Sequence, residues 1–384
     1  MDTRLLGNFS ERIADWRSCS SDELKKIYKE RVGRITPADH NAGDAARRRW
    51  QSIAKPLGSL GLLEEDIARI AQITGNPDVR MDRSALFIFC ADNGVVKEAV
   101  TQTGQDVTAS VTEVIGRDES CSAHMGRETG TEVYALDLGV VSAMNPEIYR
   151  TVTDRRIRRG TSDFLEEPAM TEDEVRMAVL TGTDCARAAK EAGMDLILGG
   201  EMGIGNTTTG SAVACALLDA DPGEITGKGA GFTDEGLRHK IDVVGRGVAL
   251  HRQIYETNGE KDALKVLRCV GGFDIAALCG LYLGAAAYRI PAVIDGFIAS
   301  AAALAAVSIA PDTREFLLPS HMSGEGGMKR IMEKLELVPP ITAGLHLGEG
   351  TGALMLLPLL RMTLAVYRNM MTFDGMGIDA YRPL

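Results

Sequence analysis

Apolar positions along this chain follow two rhythms, and the change comes near Pro77. Before it, apolar residues recur every three or four positions. The stretch ERIADWRSCSSDELKKIYKERVGRI (11–35) predicts two short helices, with Ser20, Ser21 and Asp22 offering an N-cap ahead of ELKKIYKERV. In RRRWQSIAKPLGSLGLLEEDIARIAQITG (47–75), Pro56 and Gly58 break the pattern, and LLEEDIARIAQI then resumes helical spacing. KPLGSLG (55–61) reads as a structured turn between two helices.

After Pro77, short apolar runs end in glycine or an acid and lead into helical stretches. ALFIFC (85–90) runs into ADNG, EVYAL (132–136) into DLG, MDLIL (194–198) into GGEMGIGN, and PAVI (291–294) into DGF. This strand–loop–helix grammar predicts an α/β chain with a mainly parallel sheet wrapped by helices. In such sheets ligands bind beyond the carboxyl ends of the strands. Asp92, Asp137, Glu201 and Asp295 fall at such ends. VGGFDIAALCG (270–280) predicts a helix start packed closely on a neighbour. The last apolar segment, LMLLPLLRMTLAVYRNMMTF (354–373), predicts a helix interrupted near Pro358, followed by a short tail.

Composition narrows the function classes. The chain has 384 residues, 45% hydrophobic and 25% charged, as in an ordinary globular protein. Its net charge of −11 argues against broad nucleic-acid binding and against an anionic membrane surface. GFIASAAALAAVSIAP (296–311), the most apolar stretch, is too short to span a bilayer and reads as a buried helix. The seven cysteines show no C-x-x-C pair, which predicts reduced thiols in a cytoplasmic protein. The six histidines form no H-x-x-x-H or H-E-x-x-H pattern, so no zinc site is expected.

Two acidic, glycine-framed loops hold the most specific chemistry. GGEMGIGNTTTG (199–210) and GLHLGEGTGA (344–353) each set one glutamate, Glu201 or Glu349, in a glycine-rich turn ahead of a helix. Such a turn presents free N–H groups to an anion. The first loop has neither G-K-[ST] nor G-x-G-x-x-G spacing, yet Gly203 and Gly205 admit a ligand closely and Asn206, Thr207 and Thr208 offer neutral donors, which suits a phosphate monoester. A carboxylate in the same turn repels anions, so it points to chemistry on a cationic or proton-bearing group. A buried glutamate with a raised pKa serves as a general base near neutrality. PSHMSGEGG (319–327) adds Ser320, His321, Ser323 and Glu325. ITGKGAGFTDEGLRHKIDVV (225–244) adds Lys228, Arg238 and Lys240, any of which reads as a phosphate contact or as solvated charge. RRIRRG (155–160) reads as a solvated basic face.

In their order along the chain, KPLGSLG, ADNGVV, GEMGIGNTT, GGFDIAAL, DGFI, PSHMS and LGEGTGA resemble the nicotinate-nucleotide–dimethylbenzimidazole phosphoribosyltransferase family, from about residue 47 to 376. The resemblance implies transfer of phosphoribose from nicotinate mononucleotide to 5,6-dimethylbenzimidazole, with inversion at C1′, in cobalamin nucleotide-loop assembly. It implies a homodimer that uses no metal or organic cofactor. It also implies a Rossmann-like domain, 81–350, and a small helical domain built from 41–80 and 351–384, preceded by a helical extension, 1–40. By resemblance Glu349 is the general base and Glu201 its neighbour at the reacting centre. Gly203, Gly205, Asn206, Thr207, Lys240 and Ser323 hold the phosphate and ribose, and Asp92, Thr103, Met202 and Leu347 line the base pocket.

The chain departs from the family pattern at Asn93, where the family form is A-D-H-G, and at Thr103 and Gly104, where it carries an S/Y-P pair. The departures leave the accepted base open among benzimidazoles, purines and phenols. Two other readings stand beside the transferase. A nucleotide or base sensor on the same scaffold needs the phosphate cradle but not the base, and a nucleotide hydrolase wants a metal cluster or a nucleophile.

Overall fold

The computed structural model describes residues 6, 7, 9–229 and 233–381. The segment read at 225–244 therefore lies partly outside the described residues. Six strands form one parallel sheet: β1 Ser84–Ala91, β2 Thr131–Gly139, β3 Val152–Asp154, β4 Leu196–Met202, β5 Ala292–Ile294 and β6 Leu317–Pro319. Their order is β3-β2-β1-β4-β5-β6, the doubly wound arrangement in which the winding reverses between β1 and β4. Among the described residues, the helices of nine or more residues are α1 Ser21–Val32, α2 His40–Ser52, α3 Leu62–Thr74, α4 Asp106–Gly116, α5 Cys121–Thr129, α6 Glu172–Glu191, α7 Asn206–Leu218, α8 Asp234–Tyr255, α9 Phe273–Tyr288, α10 Phe297–Ile309 and α11 Thr351–Asn369.

All eight residues of β1 are buried, because helices cover both faces of the sheet. Ala85, Phe87, Phe89 and Ala91 alternate into one core with α6, α7, α9 and α10. Leu86, Ile88 and Cys90 enter the other core, with Trp50, Ile67, Ile70, Leu354, Leu360 and Tyr367. The second core thus joins α2 and α3 to α11. Trp50 packs on Tyr367 at 5.0 Å between ring centroids, and Arg49 donates to the Tyr367 carbonyl at 2.9 Å. The expected close packing of the 270–280 segment is met where α9 crosses α6. A Cβ on Gly280 would lie 1.9 Å from the Val179 carbonyl oxygen, so a larger residue there forces the helices apart.

The N-terminal segment packs directly on this fold. Phe9 stacks on Phe87 and meets Tyr134 at a tilt, with centroids 5.4 and 4.6 Å away. α1 begins with a full capping box between Ser20 and Glu23. Buried Asp184 on α6 pairs with Arg31 and accepts from the Ala14 N–H.

Two local expectations are corrected. The basic run 155–160 is mostly a brace rather than a solvated face: Arg155, Arg156 and Arg158 are half-buried and bonded, and only Arg159 stays exposed. Arg155 donates to the carbonyls of Ser10, Ile13 and Ala14, Arg156 pairs with buried Asp137 at 2.7 Å, and Arg158 pairs with Glu174 at 2.6 Å. Arg155 thereby satisfies carbonyls of the N-terminal segment, while Arg156 and Arg158 add charged partners to carboxylates of the sheet and α6. Pro358 also fails to interrupt its helix, since α11 runs through it. Pro358 is exposed, so the one missing ladder bond falls on the outer side of the helix.

Candidate active site

Beyond the carboxyl ends of β4 and β5 lies a cleft of about 440 Å³, whose lining includes residues of four loops. The first loop leaves β4 through Glu201 and Met202. Gly205 takes a left-handed conformation (φ +93°) and starts α7 at Asn206. Here the side-chain amide of Asn206 donates to Glu201 Oε2 and, at 3.2 Å, to Asp274 Oδ2 on the first turn of α9. One amide thus ties together two carboxyls from different elements.

The second loop delivers Glu349. Gly348, Glu349 and Gly350 all have positive φ, at +92°, +56° and +76°. Only glycine takes that region freely, so the flanking glycines let the turn form and Glu349 itself carries the strain. Asp295, just after β5, fixes this turn. Its carboxylate accepts from the Gly350 N–H at 3.2 Å and the Ala353 N–H at 2.9 Å, capping α11 from another strand.

Lys240, on α8, is buried and donates to Thr207 Oγ1 at 2.7 Å. Thr207 in turn faces the cleft, whose lining also includes Ser323, His321 and Glu325 from the 319–327 loop. His321 Nδ1 pairs with Ser320 Oγ at 2.9 Å.

Burial sets the protonation of this group. It pushes Glu201 up to about 8, helped by the charges of Asp274, Asp295 and Glu349 and opposed by the Asn206 amide. Asp274 is pushed up to about 7 by burial. Asp295 reaches about 6, burial being offset by backbone N–H groups. Glu349 is raised by burial and pulled back by the Ser122 hydroxyl and N–H. Lys240 is lowered by burial to about 8, with Glu325 acting against the shift. The cleft therefore holds part of its acid in protonated form at neutral pH, beside a buried cation and the donors of a helix N-terminus.

The phosphoribosyltransferase family model DBI_PRT matches residues 35–378. The nicotinate-nucleotide–dimethylbenzimidazole phosphoribosyltransferase of Ruminiclostridium cellulolyticum is 40% identical over 357 residues, covering 93% of this chain and 99% of that protein. The chain belongs to the nicotinate-nucleotide–dimethylbenzimidazole phosphoribosyltransferase family. The relative of the same name in Clostridium acetobutylicum is 40% identical over 350 residues, 91% of this chain and 97% of its own length. The crystal structure of CobT from Thermus thermophilus superposes with a TM-score of 0.82 at 36% identity, covering 88% of this chain and 99% of that one.

Of the residues singled out in the sequence, Glu201, Met202, Gly203, Asn206, Thr207, Ser323, Leu347 and Glu349 line the one cleft. Lys240 reaches it through Thr207. Gly205 shapes the turn from behind, packed toward Asn93 and Val96. Asp92 and Thr103 do not line the cleft. Asp92 is fully buried and accepts from the Val141 N–H at 2.8 Å, tying the end of β1 to the segment after β2. Thr103 is exposed in the loop before α4, where its carbonyl accepts from Thr101.

Asp274 is bonded into the site although the sequence reading gave it no role, and Asp295, read only as a strand-end acid, fixes the Glu349 turn. The signal for both was a single acid beside a long apolar helix, since α9 and α10 are otherwise almost wholly buried and apolar. Asn93, next to Asp92 after β1, is also part of the framework. Its amide donates to the Ile204 carbonyl at 3.4 Å and its oxygen accepts from Thr209 at 3.3 Å, bracing the first loop.

The raised carboxyls make unliganded stability depend on pH. Glu201 and Asp274 bind their protons more tightly folded than unfolded, where values of 4.5 and 3.8 apply. The folded state thus holds extra protons between those values and about 8 and 7, so stability falls as pH rises through that window. Thermal melts from pH 5 to 8 are expected to show a falling Tm, with a shallower slope in Glu201→Gln. An equal slope in the variant removes Glu201 as a source of the effect.

Proposed function

We propose that this chain transfers phosphoribose from nicotinate mononucleotide to 5,6-dimethylbenzimidazole, releasing nicotinate and α-ribazole 5′-phosphate, in cobalamin nucleotide-loop assembly. The observation that carries the mechanism is the meeting of two carboxylates, Glu201 and Glu349, with a phosphate cradle in one cleft.

The donor phosphate is held by the turn at Gly203, by Asn206 and Thr207 at the start of α7, and by Ser323, with Lys240 supplying the positive charge behind Thr207. The pyridinium ring leaves with the electrons of its bond to C1′ and becomes the uncharged pyridine ring of the nicotinate anion, so its departure needs no acid. A benzimidazole nitrogen attacks C1′ from the opposite face, which inverts the sugar and gives the α-linkage. The acceptor's N–H proton passes to Glu349. Glu201 is protonated over much of the neutral range in the empty cleft. A cationic ring beside it favours its anion, and that anion then stabilises the positive donor. Met202 and Leu347 offer apolar surface for the flat rings.

Nicotinate release that requires the acceptor base separates transfer from hydrolysis. Release that proceeds equally without the base sinks the transferase mechanism, and no release at all returns the cleft to the sensor reading.

We also infer a homodimer. Met355 and Met362, seven residues apart on α11, are 48% and 61% exposed and present an unpartnered apolar stripe. Light scattering should give twice the 41.2 kDa chain mass, and a monomer mass contradicts the inference. Among the described residues no helix is long and apolar enough to cross a membrane. A reducing, cytoplasmic setting is supported by seven cysteines that all carry free thiols.

A further inference from the structure

Ser122 lies far from both glycine-framed loops in sequence, yet its hydroxyl donates to Glu349 Oε2 at 3.2 Å. Ser122 is fully buried on the first turn of α5. Its Oγ lies 2.7 Å from Ser120 Oγ, and Ser120 Oγ accepts from the Ala123 N–H at 3.1 Å as the N-cap of α5. With Glu349 ionised, these contacts run in one consistent direction. The Ala123 N–H donates to Ser120, the Ser120 hydroxyl donates to Ser122, and the Ser122 hydroxyl donates to the carboxylate. Each hydroxyl then gives one bond and accepts one, and donors in series strengthen one another.

We propose that Ser122 is the positioning residue of the general base: through the Ser120–Ser122 chain it holds Glu349 Oε2 and leaves Oε1 to take the acceptor's proton. The inference rests on the reading of Glu349 as the base. A glutamate at the tip of a turn with three successive positive φ angles has little backbone support for one rotamer, apart from Asp295 fixing the turn from below. The Ser122 hydroxyl, with the Ser122 N–H beside it, supplies that constraint from the first turn of α5. It also stabilises the anion, the form a base must have before it accepts a proton.

Several titratable groups surround Glu349. Glu201 on β4 and Cys90 on β1 interact with its charge, Asp295 after β5 bonds the next residue of its turn, and His321 lies against Gly352. Ser122 Oγ bonds Glu349 and none of these four, so a change caused by losing that hydroxyl is assigned to Glu349.

The test is the pH profile of kcat/KM for the acceptor at saturating nicotinate mononucleotide. In Ser122→Ala the acidic limb is expected to move to higher pH, with kcat lowered about tenfold and the donor KM unchanged. Ser122→Thr keeps the hydroxyl and should restore the limb. Ser122→Cys, near-isosteric but a weaker donor, should move the limb in the same direction by less, and it reads the same bond if the alanine variant does not fold. An acidic limb at the wild-type pH in Ser122→Ala or Ser122→Cys overturns the inference. Full turnover in Glu349→Gln would overturn the base reading first, and the two failures are told apart because only the second leaves Glu349 itself dispensable.

Discussion

Replacing Glu349 by glutamine should lower kcat about a thousandfold while leaving the fold and the binding of nicotinate mononucleotide near wild type. Glutamine fits the same left-handed turn, and its amide oxygen still accepts from Ser122. What it loses is the ability to accept the acceptor's proton. The donor site is built from other elements, namely the start of α7, Lys240 on α8 and Ser323, so calorimetric binding of the donor should barely move. Turnover within about threefold of wild type would remove Glu349 as the base and transfer that role to another group in the cleft, with Glu201 the first to examine.

Lys240→Ala should act on the other half of the reaction. Its ammonium is the buried cation behind Thr207, and a charge-assisted bond of this kind is worth about 10- to 100-fold in binding. The donor KM should therefore rise by about that factor, with kcat at saturation much less affected. Burial holds Lys240 at about 8, so the empty site loses its positive charge as pH rises past that value, and a bound phosphate restores it. In the wild type the donor KM should climb above pH 8, and in Lys240→Ala that climb should vanish. An unchanged donor KM in the variant would place the phosphate elsewhere.

Much of this arrangement was legible in the chain. Parallel strands announced themselves as short apolar runs ending in an acid, and Glu201 and Asp295 do stand at the carboxyl ends of β4 and β5. The two glycine-framed loops identified their own glutamates, because no ordinary turn needs so many glycines around one acid. Other features depend on contacts between distant segments, which periodicity does not encode. The Arg155–Arg158 run looked solvated because nothing local showed that it would meet the carbonyls of 10–14 and Glu174. Ser122 carried no motif, and its role comes from α5 packing beside the 348–350 turn, 227 residues away. Asp92 shared the strand-end position of Glu201 but faces β2's continuation, where its Oδ2 accepts from the Val141 N–H. Pro358 was misread for a simpler reason: a proline on the exposed side of a long, well-packed helix costs one bond, and the apolar face of α11 outweighs it.

The pH behaviour of the cleft links its stability to its chemistry. Glu201 and Asp274 share the Asn206 amide and compete for one environment, so a proton on either eases the burial of the other. Donor binding brings a cation to the same place and should offset that cost, giving a Tm gain with nicotinate mononucleotide that grows toward pH 8.

The most direct test is a mass-balanced product analysis. The purified protein is incubated with nicotinate mononucleotide and a panel of bases led by 5,6-dimethylbenzimidazole, and products are resolved by mass spectrometry. The account predicts α-ribazole 5′-phosphate in equal amount to the nicotinate released, with the other bases ranked behind. Nicotinate accompanied by free ribose 5-phosphate, with no base adduct, would contradict it.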